Sequence, residues 1–239
     1  MIVARVYIVR HGETDENRAH IIQGQREYLL NQAGREQAAM AIDAFSKVDL
    51  DFALTSDLKR AAEVRSSKLY NRMRYILIRH RDYCKRHPRR EKILVKRTES
   101  LRERCLGKLE GKHLSERRNY TDDETAESPE SFAVRALDWW DTTVKELTEA
   151  PGKKPYEVLV VSHGGFISAL VKNLISTGRV ETEPNQVTNW ICFNLSITKI
   201  EVEEGSKARL VTYSDISHLK ASDLVTYNAD VLKEAGLST

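Results

Sequence analysis

The chain has 239 residues, 41% of them hydrophobic, with 38 Lys and Arg against 35 Asp and Glu for a formal net charge of +3. That length and apolar content exclude a disordered chain and suit one large α/β domain, with or without an embedded subdomain. The near balance of charge argues against a nucleic-acid partner. Three cysteines, Cys84, Cys105 and Cys192, are widely spaced and form no Cys-x-x-Cys pair, which argues against a disulfide framework or a zinc site and for a reducing compartment.

Val6-Tyr7-Ile8-Val9 has high strand propensity and ends abruptly in Arg10-His11-Gly12-Glu13-Thr14. A buried strand here would carry Arg10 and His11 at its carboxyl end, where open α/β sheets place their sites. Gly12 permits a sharp turn, and Thr14 can cap a helix whose first amides would join an anion pocket. Taken alone, a histidine after a strand is as readily a structural residue, so the downstream chain decides. Arg5 and Arg10 interrupt the opening apolar run and no small-residue cleavage site follows, so it reads as a strand and not a signal peptide. No stretch approaches the roughly 18 apolar residues of a membrane span. The expected location is the cytoplasm, with the nucleus left open.

Asn17 lies one turn beyond Thr14, and Gln23-Gly24 follows Ile21-Ile22 in a loop. Asn31 reads as the cap of a helix whose apolar face is Ala38, Ala39, Ile42 and Phe45. A second strand, Phe52-Ala53-Leu54-Thr55, ends in Ser56-Asp57-Leu58-Lys59-Arg60, so another strand end hands a guanidinium to a helix start. From Lys59 to Arg97 there are 15 Lys and Arg against 3 Asp and Glu. Leu69, Met73, Ile76 and Leu77 keep helical spacing inside that stretch, so its charge reads as the solvated face of a long helix. A patch for RNA, a membrane surface or a protein is the alternative.

Ile93-Leu94-Val95 reads as a short strand, and Leu101-Arg102-Glu103-Arg104 follows it. The acidic stretch Thr121 to Glu127 shows no apolar period and reads as a mobile loop. Ser128-Pro129 opens a helix that turns Phe132, Ala136, Trp140 and Val144 inward. Tyr156 to Val161, the most apolar strand, ends in Ser162-His163-Gly164-Gly165 ahead of a helix with Ile167, Leu170, Val171 and Leu174. Further strands are expected at Ile191 to Ile200 and Leu210 to Tyr213. The alternation predicts an α/β fold: a three-layer sandwich with a mainly parallel sheet of about six strands between helical layers.

Five of these segments, in this order, resemble the histidine phosphatase superfamily in its phosphoglycerate-mutase-like branch. They are Arg10 to Thr14 with Asn17 and Gln23-Gly24, Ser56 to Ala61, Leu101 to Arg104, Ser162 to Gly165, and Asn194 to Thr198. The resemblance implies a single domain over 1–239, with a basic helical excursion at about 61–97 and a helical or loop cap at about 104–150. It implies that His11 is the nucleophile that becomes phosphorylated, with Arg10, Arg60 and His163 around the transferring group and Glu103 as proton donor. Asn17 would touch the phosphate, Gln23 and Gly24 would line the mouth of the pocket, and Arg104 and Gly164 would join the substrate site.

The chemistry asks for these residue types. Phosphoryl transfer spreads charge over the equatorial oxygens, and two guanidinium forks match those oxygens. Attack by His11 needs one bare ring nitrogen, so the other should donate to a carbonyl near Gly12; His163 is expected to serve best when protonated. No metal and no cofactor is called for, and the expected partner is a small phosphate ester, with self-association left open. Gly165, where the resembling mutases carry Asn, and the short segment between Glu103 and Ser128 favour a phosphatase over a phosphoglycerate mutase. Leu106 in place of an aromatic residue and the lack of Gln-Thr after Arg60-Ala61 leave the substrate undecided. A catalytically idle interaction module is the alternative of another class.

Overall fold

The computed structural model describes residues 1–63, 95–119, 123–149, 152, 154–205 and 207–219. The basic helix expected after Arg60 therefore falls almost wholly outside the described residues, as do Ile93 and Leu94. In chain order the elements are β1 (Ile2–Arg10), α1 (Asp15–Arg18), α2 (Gln32–Ala44), β2 (Phe52–Ser56), α3 (Lys59–Glu63) and β3 (Val95–Thr98). Then follow α4 (Pro129–Glu149), β4 (Tyr156–Ser162), α5 (Gly164–Ser176), β5 (Val180–Glu181), β6 (Ile197–Glu203) and β7 (Ala208–Asp215).

The strands form one sheet in the order β3-β2-β4-β1-β6-β7-β5. Its β1–β4, β2–β4, β2–β3 and β5–β7 pairs are parallel, and β6 alone runs against both its neighbours. Alternating side chains divide the core between the two faces, as the period of two in a strand requires. Ala4, Val6, Ile8, Val158 and Val160 meet Phe132, Ala136, Trp140 and Val144 of α4 and Ile167, Leu170 and Leu174 of α5 on one face. Val9, Leu159, Val161 and Ala53 meet Ala38, Ala41 and Phe45 of the α2 segment and Ala61 of α3 on the other. The result is the expected three-layer α/β sandwich. Each fully buried aliphatic side chain stabilises it by about 1.5–3 kcal/mol.

The sheet has seven strands because β5 adds a two-residue edge, too short to leave a sequence pattern. Ala41, not Ala39, faces the core: Ala39 is exposed. The stretch 191–196 is irregular and the strand begins only at Ile197, since Leu195 takes a left-handed φ of 55° that ends any ladder. The described part of the acidic loop, 123–127, is tied to its surroundings by hydrogen bonds and an ion pair. Asp123 accepts the amides of Lys108 at 2.6 Å and Thr125 at 3.1 Å, and Glu127 pairs with Arg135 at 2.8 Å.

Candidate active site

Register brings the two histidines together. Arg10 pairs with Ser162 across the parallel β1–β4 ladder, and the His11 amide continues it by donating to the Ser162 carbonyl at 2.9 Å. His11 and His163 are therefore the first residues beyond two adjacent strand ends, with ring centroids 5.2 Å apart. β2 flanks β4 on its other side and ends at Ser56, whose Oγ lies 2.9 Å from His163 Nε2. One turn further on, α3 supplies Arg60. β3 ends at Thr98, which caps the short 3-10 turn Glu99–Leu101 and leads to Glu103. Four parallel strand ends thus feed one place, where such sheets hold ligands.

Both guanidinium groups are buried and oriented by carbonyl oxygens. Arg10 Nη1 donates to Cys192 O at 2.7 Å. Arg60 Nη2 donates to Gly24 O at 2.6 Å and Nη1 to Arg26 O at 2.8 Å. The loop at Gln23-Gly24 therefore aims Arg60. Carbonyls orient a cation without cancelling its charge, and the imidazoles feel it. Burial first, then Arg60 and Arg10, hold His11 well below the ordinary histidine range. Burial, then Arg60, His11, Arg10 and Arg135, do the same to His163. Burial and the two guanidinium groups thus disfavour a third cation, an imidazolium at position 163.

The ring nitrogens are tied differently. His11 Nδ1 lies 2.7 Å from Gly12 O, so the proton sits on Nδ1 and Nε2 is bare. His163 Nδ1 is buried with no hydrogen-bond partner among the described residues. Glu103 accepts from the Arg104 amide at 2.9 Å and, through Oε2, from the Gly165 amide at 2.8 Å. That places its carboxylate on the first turn of α5, the helix that His163 precedes, where the helix dipole favours negative charge. A Cβ at position 165 would strike Glu103 Oε1, so glycine there makes room for the carboxylate.

Of the remaining sequence-predicted residues, Asn17 closes a capping box with Thr14, and its Oδ1 also lies 3.4 Å from Asn194 Nδ2. Gln23 is buried. Gly164 begins α5. Arg104 turns its Nε to Glu127 O at 2.7 Å. Sequence reasoning passed over three neighbours. Asn194 donates to His11 O at 2.9 Å, Ser56 bonds His163, and Glu110 Oε1 accepts the amides of Gln25 and Leu106, both at 2.9 Å. Only their place inside the recurring segments could have flagged the first two.

The match to known proteins agrees with this geometry. The model of the histidine phosphatase superfamily (branch 1) matches residues 6–66 and 77–216. The chain belongs to that superfamily. A probable phosphatase of Schizosaccharomyces pombe is 30% identical over 92% of this chain and 97% of the relative. A broad-specificity phosphatase of Saccharomyces cerevisiae is 27% identical, covering 87% and 84%. Among solved structures, a mycobacterial glucosyl-3-phosphoglycerate phosphatase superposes with a TM-score of 0.67 at 25% identity, over 88% of this chain and 98% of that one. No helix among the described residues of this family member is long and apolar enough to cross a membrane.

Proposed function

We propose that the protein is a phosphatase that hydrolyses small phosphomonoesters, sugar phosphates among them, through a phosphohistidine on His11. The observation that carries this reading is the tie between His11 Nδ1 and Gly12 O, which leaves Nε2 as a neutral nucleophile beside two buried arginines. Arg10 and Arg60 hold the equatorial oxygens. Ser56 Oγ lies 2.9 Å from His163 Nε2; in this reading its hydroxyl donates a hydrogen bond to that nitrogen, the ring proton stays on Nδ1, and a neutral His163 donates to a third oxygen.

As Nε2 forms the new bond to phosphorus, the ester P–O bond breaks, its electron pair goes to the leaving oxygen, and Glu103 protonates that oxygen. Donation requires that Glu103 enter the step as the carboxylic acid. Deprotonated Glu103 then takes a proton from the water that attacks phosphohistidine, releasing inorganic phosphate and restoring His11. That the two yeast relatives are named phosphatases supports hydrolysis over transfer to a second substrate.

The test is trapping with p-nitrophenyl phosphate and with phosphate-labelled substrate, with and without chelator. Expected is chelator-resistant turnover and an acid-labile, base-stable phosphoprotein. Both should fall by about four orders of magnitude or more in His11→Asn. Turnover that survives this substitution, or mutase activity exceeding hydrolysis, sinks the reading.

A further inference from the structure

Arg135 stands on α4, apart from the four strand ends, and belongs to none of the recurring segments. Its guanidinium nevertheless reaches the backbone that carries Glu103. Nη1 donates to Ser100 O at 3.0 Å and Arg102 O at 2.9 Å, and Nη2 to Glu103 O at 3.3 Å. The same fork is held from behind by Glu127, with Nε to Oε1 at 2.9 Å and Nη2 to Oε2 at 2.8 Å. The Phe132 ring lies 4.9 Å from its Cζ. Two other side chains complete the set: Ser162 Oγ donates to Leu101 O at 2.7 Å and Gln25 Nε2 to Glu103 O at 3.0 Å. Each carbonyl from Ser100 to Glu103 is therefore held by a side chain from elsewhere in the fold.

This matters because 102–106 lies in no helix or strand and Ser100 only in a three-residue 3-10 turn. A segment without its own ladder takes its conformation from such contacts. Arg135 supplies three of them from one rigid group, a geometry a lysine cannot reproduce. We infer that Arg135 is a positioning residue for proton donation: it fixes the backbone from which Glu103 reaches the leaving oxygen. The inference rests on the reading of Glu103 as proton donor.

The experiment separates the two. An alkyl phosphate such as glycerol 2-phosphate leaves as a strongly basic alkoxide and needs the proton; p-nitrophenolate leaves without it. kcat/KM on both esters is measured for the wild type, Arg135→Lys, Glu127→Gln, Glu103→Gln and the Arg135→Lys/Glu103→Gln double variant, with melting temperatures alongside. Arg135→Lys is expected to lose about tenfold to a hundredfold on glycerol 2-phosphate, the scale of an ångström of misplacement, and under about threefold on p-nitrophenyl phosphate. Added to Glu103→Gln it should cost nothing further on the alkyl ester.

Glu127→Gln loosens the fork without removing it and should show the same selectivity to a smaller degree, which keeps the test open if Arg135→Lys does not fold. Equal losses on both esters for the Arg135 and Glu127 variants, or losses additive with Glu103→Gln, overturn the inference while leaving Glu103's role intact. A Glu103→Gln variant that loses equally on both esters overturns the donor role itself.

Discussion

The ends of β1 and β4 look alike and are tied differently. Each is a buried parallel strand that stops at a histidine followed by glycine, and the two histidines leave the sheet in register. After His11 the chain makes only a four-residue helix whose capping box closes on itself through Thr14 and Asn17. After His163 it makes a thirteen-residue helix whose first-turn amide at Gly165 is given to Glu103. Among the described residues, Nδ1 is the bound nitrogen in His11 and the unpartnered one in His163. The same His-Gly step thus carries the proposed nucleophile at one strand end and the proposed hydrogen-bond donor at the other. The difference lies in which ring atom a neighbour occupies.

The sharpest way to break that comparison is to replace both rings by Ala and by Asn, whose amide reaches roughly where Nδ1 stands. His163→Ala should lower kcat by about a hundredfold to a thousandfold, the usual cost of one donor on a developing charge. His163→Asn should recover about tenfold of it, since an amide NH can replace Nδ1–H. At position 11 neither replacement can form the phosphoenzyme, so Asn should do no better than Ala. If Asn fails equally at both positions, His163 is not acting through a donor at Nδ1.

How much of this could be read from sequence follows from the range of each contact. Strand ends and helix starts leave local signals: hydrophobic period, a sharp Gly turn, Thr14 and Ser128 as caps. Those signals placed Arg10, His11, Arg60 and His163 at the carboxyl edge of a parallel sheet. Hydrogen bonds between a side chain and a remote backbone leave none. Asn194 reaches His11 O across 183 residues, and Arg135 reaches the 100–103 carbonyls from a helix face that otherwise reads as surface. The apolar run Ile191 to Phe193 imitated a strand, whereas the left-handed turn at Leu195 brings Asn194 to the His11 carbonyl. The charge of His163 depends on range in the same way: sequence shows two arginines and two histidines, and burial bears on how many can be cationic together.

A smaller effect sharpens the account of His163. Ser56 Oγ is the group that faces Nε2, and removing it frees the ring to keep its proton on either nitrogen. Ser56→Ala should lower kcat by about tenfold, the worth of one hydrogen bond of roughly 1.4 kcal/mol, with little change in KM. Ser56→Thr should restore most of it by returning a hydroxyl. A loss that Thr does not rescue, or one seen only in KM, would show that Ser56 acts as packing and does not set the tautomer.

The smallest effect concerns stability and treats the two rings as one class. His11 and His163 are both held well below the ordinary value of 6.5, by burial first and by Arg60 next; His218, beside Leu195 O, is also lowered by burial. Their folded pKa values lie below the unfolded ones, so below pH 6.5 the unfolded chain binds protons that the folded one refuses. Stability is therefore fully present above about 6.5 and is lost as pH falls beneath it, by about 1 kcal/mol per fully buried histidine per pH unit. The carboxylates held low, Asp57 by Arg102 and Glu201 against its burial by Lys199, change charge only further down the scale and do not confuse this window. Urea unfolding at pH 7.5 and 5.5 should show the wild type weaker at the acid end, and His11→Asn/His163→Asn should have a flatter slope. An equal slope in both proteins would mean that the imidazoles accept protons within the fold, and the neutral pair would then have to be abandoned.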